Sequence, residues 1–289
     1  MKPRPGIHAL FVTDFDGTLY RGNGKIHRED MRSLHALGEA GVLRVIATGR
    51  SLESFRNTAG GFHLPVDYVL FSSGAGLVDW KTGTLERSQT LEARQVADIL
   101  GVFEEFRLDY MIHEPIPDNH CFLYHLNSRG NEDFTRRCEL YHEYCRPAPA
   151  DYILDPRPAT QLIAILPPGV NMLEKVRGRL KDFSVVRTTS PLDGHSTWVE
   201  VFPRGISKSS GIAHICSDFE IPRERVCAAG NDYNDIDLLE WAHWSFVPGS
   251  APEELRTAFR PIPERNGSAL SGAIDLWLTY LDGGISENG

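Results

Sequence analysis

What this chain lacks narrows it first. Its five cysteines, Cys121, Cys138, Cys145, Cys216 and Cys227, are odd in number and form no C-x-x-C pair. Neither a disulfide framework nor a zinc site is indicated, and reduced thiols in a reducing compartment are the plain reading. No apolar stretch approaches the ~18 residues that a membrane-spanning helix needs. The short apolar run Ile7 to Val12 is cut off by Asp14 with no small-residue cleavage site after it, so no signal peptide is expected. The Asn266-Gly267-Ser268 sequon then reads as chance, and a cytoplasmic location is expected. No basic stripe is present, and the formal charge is -9 with acids and bases mixed along the chain. Nucleic acid is therefore not an expected partner, nor is a membrane. Internal repeats and low-complexity tracts are also missing. What remains is an ordinary globular balance, 41% hydrophobic and 24% charged, in a chain long enough for two domains.

The first third alternates strand and helix. Ile7 to Thr13 is a short, almost wholly apolar run, as expected of a buried parallel strand. A helix over Glu29 to Ala40 follows, stopped by Gly41, and then strands over Val42 to Thr48 and Asp67 to Ser72. The rhythm changes near Gly83. A helix over Leu91 to Phe106 precedes two adjacent strands, Leu108 to His113 and His120 to Leu126, and a helix from Asn131 to Cys145. The Pro-rich stretch Arg146 to Pro158 reads as a loop. A strand over Gln161 to Leu166, a helix over Val170 to Lys181, and strands over Phe183 to Thr188 and Thr197 to Phe202 complete the middle. From Pro203 the parallel pattern resumes, with helices from Ser207, Asp235 and Pro252 around strands at Arg225 to Ala229 and Ser245 to Val247. The expected fold is α/β: a doubly wound parallel-sheet (Rossmann-like) core from residues 1–82 and 203–289, with an inserted α+β domain at 83–202.

The chemistry concentrates in Asp14-Phe15-Asp16-Gly17-Thr18-Leu19, directly after the first strand. Carboxylates two residues apart project to one side of a strand, and at the C-terminal end of a parallel strand they face the crevice where such sheets bind ligands. One can be a nucleophile and the other a general acid and base. An Asp-x-Asp pair alone is common and reads better as an Asp-rich turn; the full hexamer after an apolar strand reverses that. Taken singly, Thr48 reads as a helix cap, Gly49 as a turn residue, Arg50 as a phosphate contact or a solvated helix end, and Lys208 as a surface lysine. Gly74-Ala75-Gly76 lacks the third glycine of a dinucleotide fingerprint. His113, His120, Phe122, Tyr124 and His125 read mostly as core or solvent-facing positions, with substrate contact the minority reading.

Together these motifs resemble the haloacid dehalogenase (HAD) superfamily, whose phosphatases open with this hexamer. The order matches: Ala47-Thr48-Gly49-Arg50, then Lys208 in Arg204-Gly205-Ile206-Ser207-Lys208, then Gly230-Asn231-Asp232-Tyr233-Asn234-Asp235. Ser73-Gly74-Ala75-Gly76 resembles a turn of the Cof-type branch, and the inserted segment sits where members carry a type IIB α/β cap. The resemblance implies a Mg²⁺-dependent phosphatase acting on a small phosphorylated metabolite, such as a sugar phosphate, nucleotide or cofactor phosphate. In that reading Asp14 attacks phosphorus, Asp16 supplies and removes protons, and Thr48 and Lys208 hold the phosphoryl group. Gly49, Arg50 and Asn234 contact the substrate, and Asp14, the Asp16 main-chain carbonyl, Asn231 and Asp235 ligate the metal. One departure stands out: the family's usual acidic motif has Asp directly after the glycine, where this chain has Asn231, so Asp232 is a competing ligand. A phosphomutase or phosphotransferase using the same intermediate, and an inactive phosphate-binding regulator, are the alternatives. Oligomeric state is left open.

Overall fold

The computed structural model describes residues 6–21, 24–128, 130–166, 172–190, 192–263, 268 and 270–283. In chain order, the first stretch contains β1 (Ala9–Thr13), a small hairpin β2 (Tyr20–Arg21) and β3 (Lys25–Ile26), α1 (Arg28–Glu39), β4 (Val42–Ala47), α2 (Leu52–Ala59), β5 (Tyr68–Phe71), β6 (Gly76–Asp79) and β7 (Leu85–Ser88). The middle contains α3 (Ala93–Glu105), β8 (Asp109–His113), β9 (Phe122–His125), α4 (Glu132–Leu140), β10 (Cys145–Pro147), β11 (Gln161–Ile165), α5 (Met172–Arg179), β12 (Ser184–Thr189) and β13 (Thr197–Phe202). The last stretch contains α6 (Lys208–Asp218), β14 (Val226–Ala229), α7 (Ile236–Trp241), β15 (Trp244–Val247), α8 (Glu253–Ala258), β16 (Arg260–Pro261) and α9 (Ser271–Gly283). Among the described residues no helix is long and apolar enough to cross a membrane.

Two compact units emerge, one of residues 1–49, 58–86 and 208–289, the other of 50–57 and 87–207. The first unit holds an eight-stranded sheet in the order β16-β15-β14-β1-β4-β5-β6-β7. Its centre is parallel: β1 pairs with β14 on one side and β4 on the other. Strand β1 is buried along its whole length, which explains its unbroken apolar run. Leu10, Val12, Val45, Leu70, Ile212 and Leu238 anchor one core cluster of this unit. The chain reverses its direction across the sheet at β1, and such a switch point opens a crevice beyond the carboxyl ends of the strands.

The second unit holds a six-stranded sheet in the order β10-β9-β8-β11-β13-β12. Its central strand β11 is buried at every position, because both faces are covered. Leu162 and Ala164 belong to one apolar cluster, Ile163 and Ile165 to another.

The sequence rhythm differs from the structure in several places. The main sheet runs on through the antiparallel hairpin β5–β6 and the edge strand β7, so the boundary expected after residue 82 falls after 86, and the one expected after 202 falls after 207. Residues 50–57 group with the second unit. The helix expected to reach Cys145 stops at Leu140, and Cys145–Pro147 instead forms an edge strand parallel to β9. Pro147 is tolerated there because an edge has a free side that needs no N–H. The expected helix start at Val170 lies outside the described residues. Helix α9 went unread because it opens on Ser271-Gly272, a weak helix start. Gly272 is required, since a Cβ there would meet the Pro263 carbonyl oxygen at 2.2 Å.

Candidate active site

Asp14 follows β1 immediately, its amide donating to the Ala229 carbonyl of β14 at 2.8 Å. The strand therefore ends before the two acids, and their spacing is a turn rather than a pleat. Gly17 makes that turn with φ +78, its amide donating to Tyr20 O at 2.8 Å. No other residue suits this position. Besides the positive φ, a Cβ would lie 2.5 Å from the Asn231 side chain. Asp14 is buried, while Asp16 is partly exposed.

Lys208 opens α6, yet its side chain is fully buried. Its Nζ donates to Asp14 Oδ1 at 2.7 Å and to Asp235 Oδ1 at 2.6 Å. Burial alone would pull this ammonium down, but Asp14 and Asp235 more than offset it and hold it above its ordinary value. Burial pushes the Asp14 carboxyl up; the Lys208 charge opposes this, and the charges of Asp235 and Asp16 add to it.

Asp235, expected among the metal ligands, also closes a turn. Its Oδ2 accepts the amides of Asn231 at 2.8 Å and Asp232 at 3.1 Å, while Oδ1 takes Lys208. Both oxygens are thus engaged in closing the 230–235 turn and seating the lysine. Gly230 allows this, because a Cβ there would meet Asp235 at 2.6 Å.

Three oxygens converge on the Asn231 side-chain oxygen. Asn231 Oδ1 lies 2.7 Å from the Asp16 carbonyl oxygen, 3.2 Å from Asp14 Oδ2 and 2.8 Å from Thr18 Oγ1. Thr18 can donate its proton; the other two are acceptors, so oxygen faces oxygen. Either the amide turns and the two hydrogens of its nitrogen are shared among these oxygens, or a cation holds the oxygens together. An octahedral Mg²⁺ with ligands at about 2.0–2.1 Å places adjacent ligand oxygens about 2.9 Å apart, and the observed spacings bracket that value. Carboxylate, main-chain carbonyl and amide oxygen are the hard donors that Mg²⁺ takes. The donor set of Asp14, the Asp16 carbonyl and Asn231 fits the ion. Among the described residues no group of three or more His, Cys, Asp or Glu could hold a metal; one carboxylate, one carbonyl and one amide escape that pattern.

Thr48, buried at the end of β4, has its amide bonded to Leu70 O at 2.8 Å and its carbonyl to Ser73 N at 3.0 Å. Ser72 and Ser73 both hold positive φ, 48 and 52, a strained turn of the kind that gathers at functional sites. A Cβ on Gly49 would sit 3.4 Å from Asn234 Nδ2 and 3.6 Å from Ser73 Oγ, which puts Gly49, Asn234 and Ser73 together. Arg50 starts the 50–57 segment and bonds along it to Ser54 Oγ at 3.3 Å. Thr18 and Ser73 are the site residues that sequence reasoning passed over. Thr18 lay in view inside the hexamer, and Ser73 had a signal in the glycine-rich turn after β5.

The family model of haloacid dehalogenase-like hydrolases matches residues 11–267. The Bacillus subtilis (strain 168) protein YxeH is 24% identical over 281 residues, covering 93% of this chain and 97% of its own. From the same organism, 5-amino-6-(5-phospho-D-ribitylamino)uracil phosphatase YitU is 23% identical over 278 residues, 89% of this chain and 91% of its own. Among solved structures, BT1666 from Bacteroides thetaiotaomicron, described as a phosphatase of the HAD superfamily, superposes with a TM-score of 0.76. It is 20% identical, over 96% of this chain and 98% of that one.

Proposed function

The chain belongs to the haloacid dehalogenase-like hydrolases, and from that membership we propose that it is a Mg²⁺-dependent phosphatase of a small phosphorylated metabolite, working through an aspartyl-phosphate on Asp14. The observation that carries the reading is the Asp14 carboxylate, held at a strand end with Lys208 on one oxygen and the Asp16–Asn231 oxygen pair beside the other.

In the first half-reaction the carboxylate of Asp14 attacks phosphorus in line. The bond from phosphorus to the leaving oxygen breaks, and Asp16 gives that oxygen its proton. In the second half, Asp16 takes a proton from water, the hydroxide attacks phosphorus, and inorganic phosphate leaves Asp14 as a free carboxylate. Splitting the displacement lets one acid–base group serve both halves. Phosphoryl transfer relies mostly on positioning and charge neutralisation, which here falls to Lys208, with hydrogen bonds from Thr48, Gly49 and Asn234. Bound by Asp14, the Asp16 carbonyl and Asn231, Mg²⁺ would supply positive charge against the phosphate and the nucleophile. Asp235 and Thr18 act behind these groups, one seating Lys208 and the other steadying the Asn231 amide.

The segment 83–202, most of the second unit, sets substrate specificity in this reading, with Arg50 a further substrate contact. The missing charge at Asn231 is the one feature that favours an inactive binder, and the presence of Asp14, Asp16 and Lys208 outweighs it, since binding needs no general acid. Release of free phosphate from a panel of phosphorylated metabolites, with Mg²⁺ and no added acceptor, tests the proposal. No free phosphate but a phosphorylated product when an acceptor is supplied would make the chain a phosphotransferase, and no transfer at all would make it a binder.

A further inference from the structure

Two of the five thiols meet in the second unit. Cys138 lies near the end of α4 and Cys145 opens the edge strand β10, with a turn from Tyr141 to Tyr144 between them. The Cys145 thiol donates to the Cys138 carbonyl oxygen at 3.4 Å, and each side chain is a hydrogen-bond partner of the other. Both stand beside Tyr124 and pack against the apolar cluster of Met111, Phe122, Phe134 and Trp198. Both are half-buried, within reach of a small reagent, whereas Cys216 and Cys227 are buried. Cys121 is half-buried too, but the groups that act on it are Asp118, Glu114 and Arg146 rather than a second thiol.

The corner these thiols occupy is lightly held. Strand β10 is three residues long and, among the described strands, pairs with β9 alone at the end of its sheet. Leu140 and Tyr144 beside it are exposed. Short edge elements with few buried contacts are the ones that open locally. The two thiols also differ. Burial raises Cys145, while the hydrogen bond from Cys138 and the Arg137 charge lower it. Burial raises Cys138 as well, and the charge and hydrogen bond of Cys145 carry it up to about 12 against the pull of Arg137. Thiolate is the attacking form, so Cys145 is the thiol that attacks and Cys138 the one that resolves. Neither is acidified, and the pair therefore reacts slowly, through proximity.

We infer that Cys138 and Cys145 form an oxidative modification site, at which a hydroperoxide such as hydrogen peroxide makes an intramolecular disulfide that fastens the end of α4 to the β10 edge. The Cys145 thiolate attacks one peroxide oxygen. The O–O bond breaks, and the departing hydroxide takes up the thiol's proton as water. Cys145 is now a sulfenic acid. The Cys138 sulfur attacks the sulfenic sulfur, the S–O bond breaks, and the second hydroxide leaves as water with the Cys138 proton. Two thiols lose two electrons, and one peroxide becomes two waters. A thiol reductant reverses the bond by exchange. The inference is independent of the phosphatase reading.

The test uses the reduced full-length chain, treated with hydrogen peroxide and then with N-ethylmaleimide to block the remaining thiols. Cleavage after Glu139 and Glu143 separates the two cysteines, so peptides that stay joined until reduction report the bond by mass spectrometry. We expect joined peptides in the wild type and in Cys121→Ser, with Cys121 of the wild type still taking up maleimide. In Cys138→Ser the reaction should stop at a Cys145 sulfenic acid captured by dimedone, and Cys145→Ser should capture far less on Cys138. Amides of residues 141–146 should exchange hydrogen about tenfold or more slowly in the crosslinked chain, because the bond removes open states of the turn, and a thiol reductant should restore the faster exchange. The wild-type peptides decide the matter even if a variant fails to fold. The inference is overturned if Cys138 and Cys145 both still take up maleimide after peroxide, if Cys121 is crosslinked in place of either, or if the crosslinked chain exchanges as fast as the reduced one. Equal dimedone capture in the two serine variants overturns the order of attack.

Discussion

At the scale of single residues, Asn231 carries the departure that matters most. Unit charges about 4 Å apart interact by about 4 kcal/mol at an effective dielectric near 20, so replacing a carboxylate ligand by an amide weakens the hold on a cation. The net effect is smaller, since a carboxylate would also cost desolvation and repel phosphate. Asn231→Asp should therefore tighten Mg²⁺ binding and Asn231→Ala weaken it, with calorimetric titration as the measure. Asp232→Asn should leave it nearly unchanged, and a large effect there would move the ligand by one residue. Thr18→Val removes the hydroxyl that steadies the amide, and should cost about tenfold in Mg²⁺ affinity, as outer groups of a metal site do. Lys208→Met leaves Asp14 and Asp235 buried without their cation. Breaking such a pair costs about 3–5 kcal/mol, so the variant should unfold at distinctly lower denaturant as well as lose turnover. Asp14, Asp16, Thr48 and Lys208 were all legible as candidates, because motif order survives in one dimension. The engagement of both Asp235 oxygens was not, since it depends on which way a turn closes.

At the scale of elements, sequence pattern works where one principle governs. Strand β1 is apolar because both faces are covered, and β13 spans the six residues that its pattern gives. It fails where tertiary context overrides local preference: Cys145 reads as the end of a helix and Arg146 and Pro147 as the start of a loop, but all three are claimed by the β9 edge. Gly230→Ala tests the turn that joins β14 to the site. The added methyl meets Asp235 at 2.6 Å, so the variant should keep its secondary structure by circular dichroism but lose turnover, as the turn that seats Lys208 opens. Strand β8 offers a pH test. The fold holds His113 neutral down to about 3, while in the unfolded chain it titrates near its ordinary 6.5. Between those values the unfolded state binds one more proton, so stability falls as pH falls, by about 1.4 kcal/mol per unit for this one group. His113→Phe should flatten the decline of melting temperature between pH 6.5 and 4 relative to wild type. An unchanged slope would show that the ring is protonated in the folded chain.

At the scale of the whole molecule, the division of labour is the main consequence. The atoms assembled around Asp14 all come from the first unit, from segments ending β1, β4 and β14 and from the start of α6. Parallel strands that end in one row explain how residues as far apart as Asp14 and Lys208 meet. The change of rhythm near Gly83 marks the second unit because paired strands and parallel α/β units alternate differently. The rhythm misses residues 50–57, which join the second unit through packing that local periodicity does not record. Substitutions on the second unit's sheet should change preference among metabolites by more than they change hydrolysis of p-nitrophenyl phosphate, read as kcat/KM across a panel.

The covalent step on Asp14 is tested most directly by quenching the wild type in acid during turnover and locating phosphoryl groups by mass spectrometry of its peptides. The modification should fall on the peptide holding Asp14 and vanish in Asp14→Asn, with turnover reduced by about a thousandfold or more and the fold kept. Turnover near the wild-type rate in Asp14→Asn, or a phosphoryl group on a different residue, would contradict it.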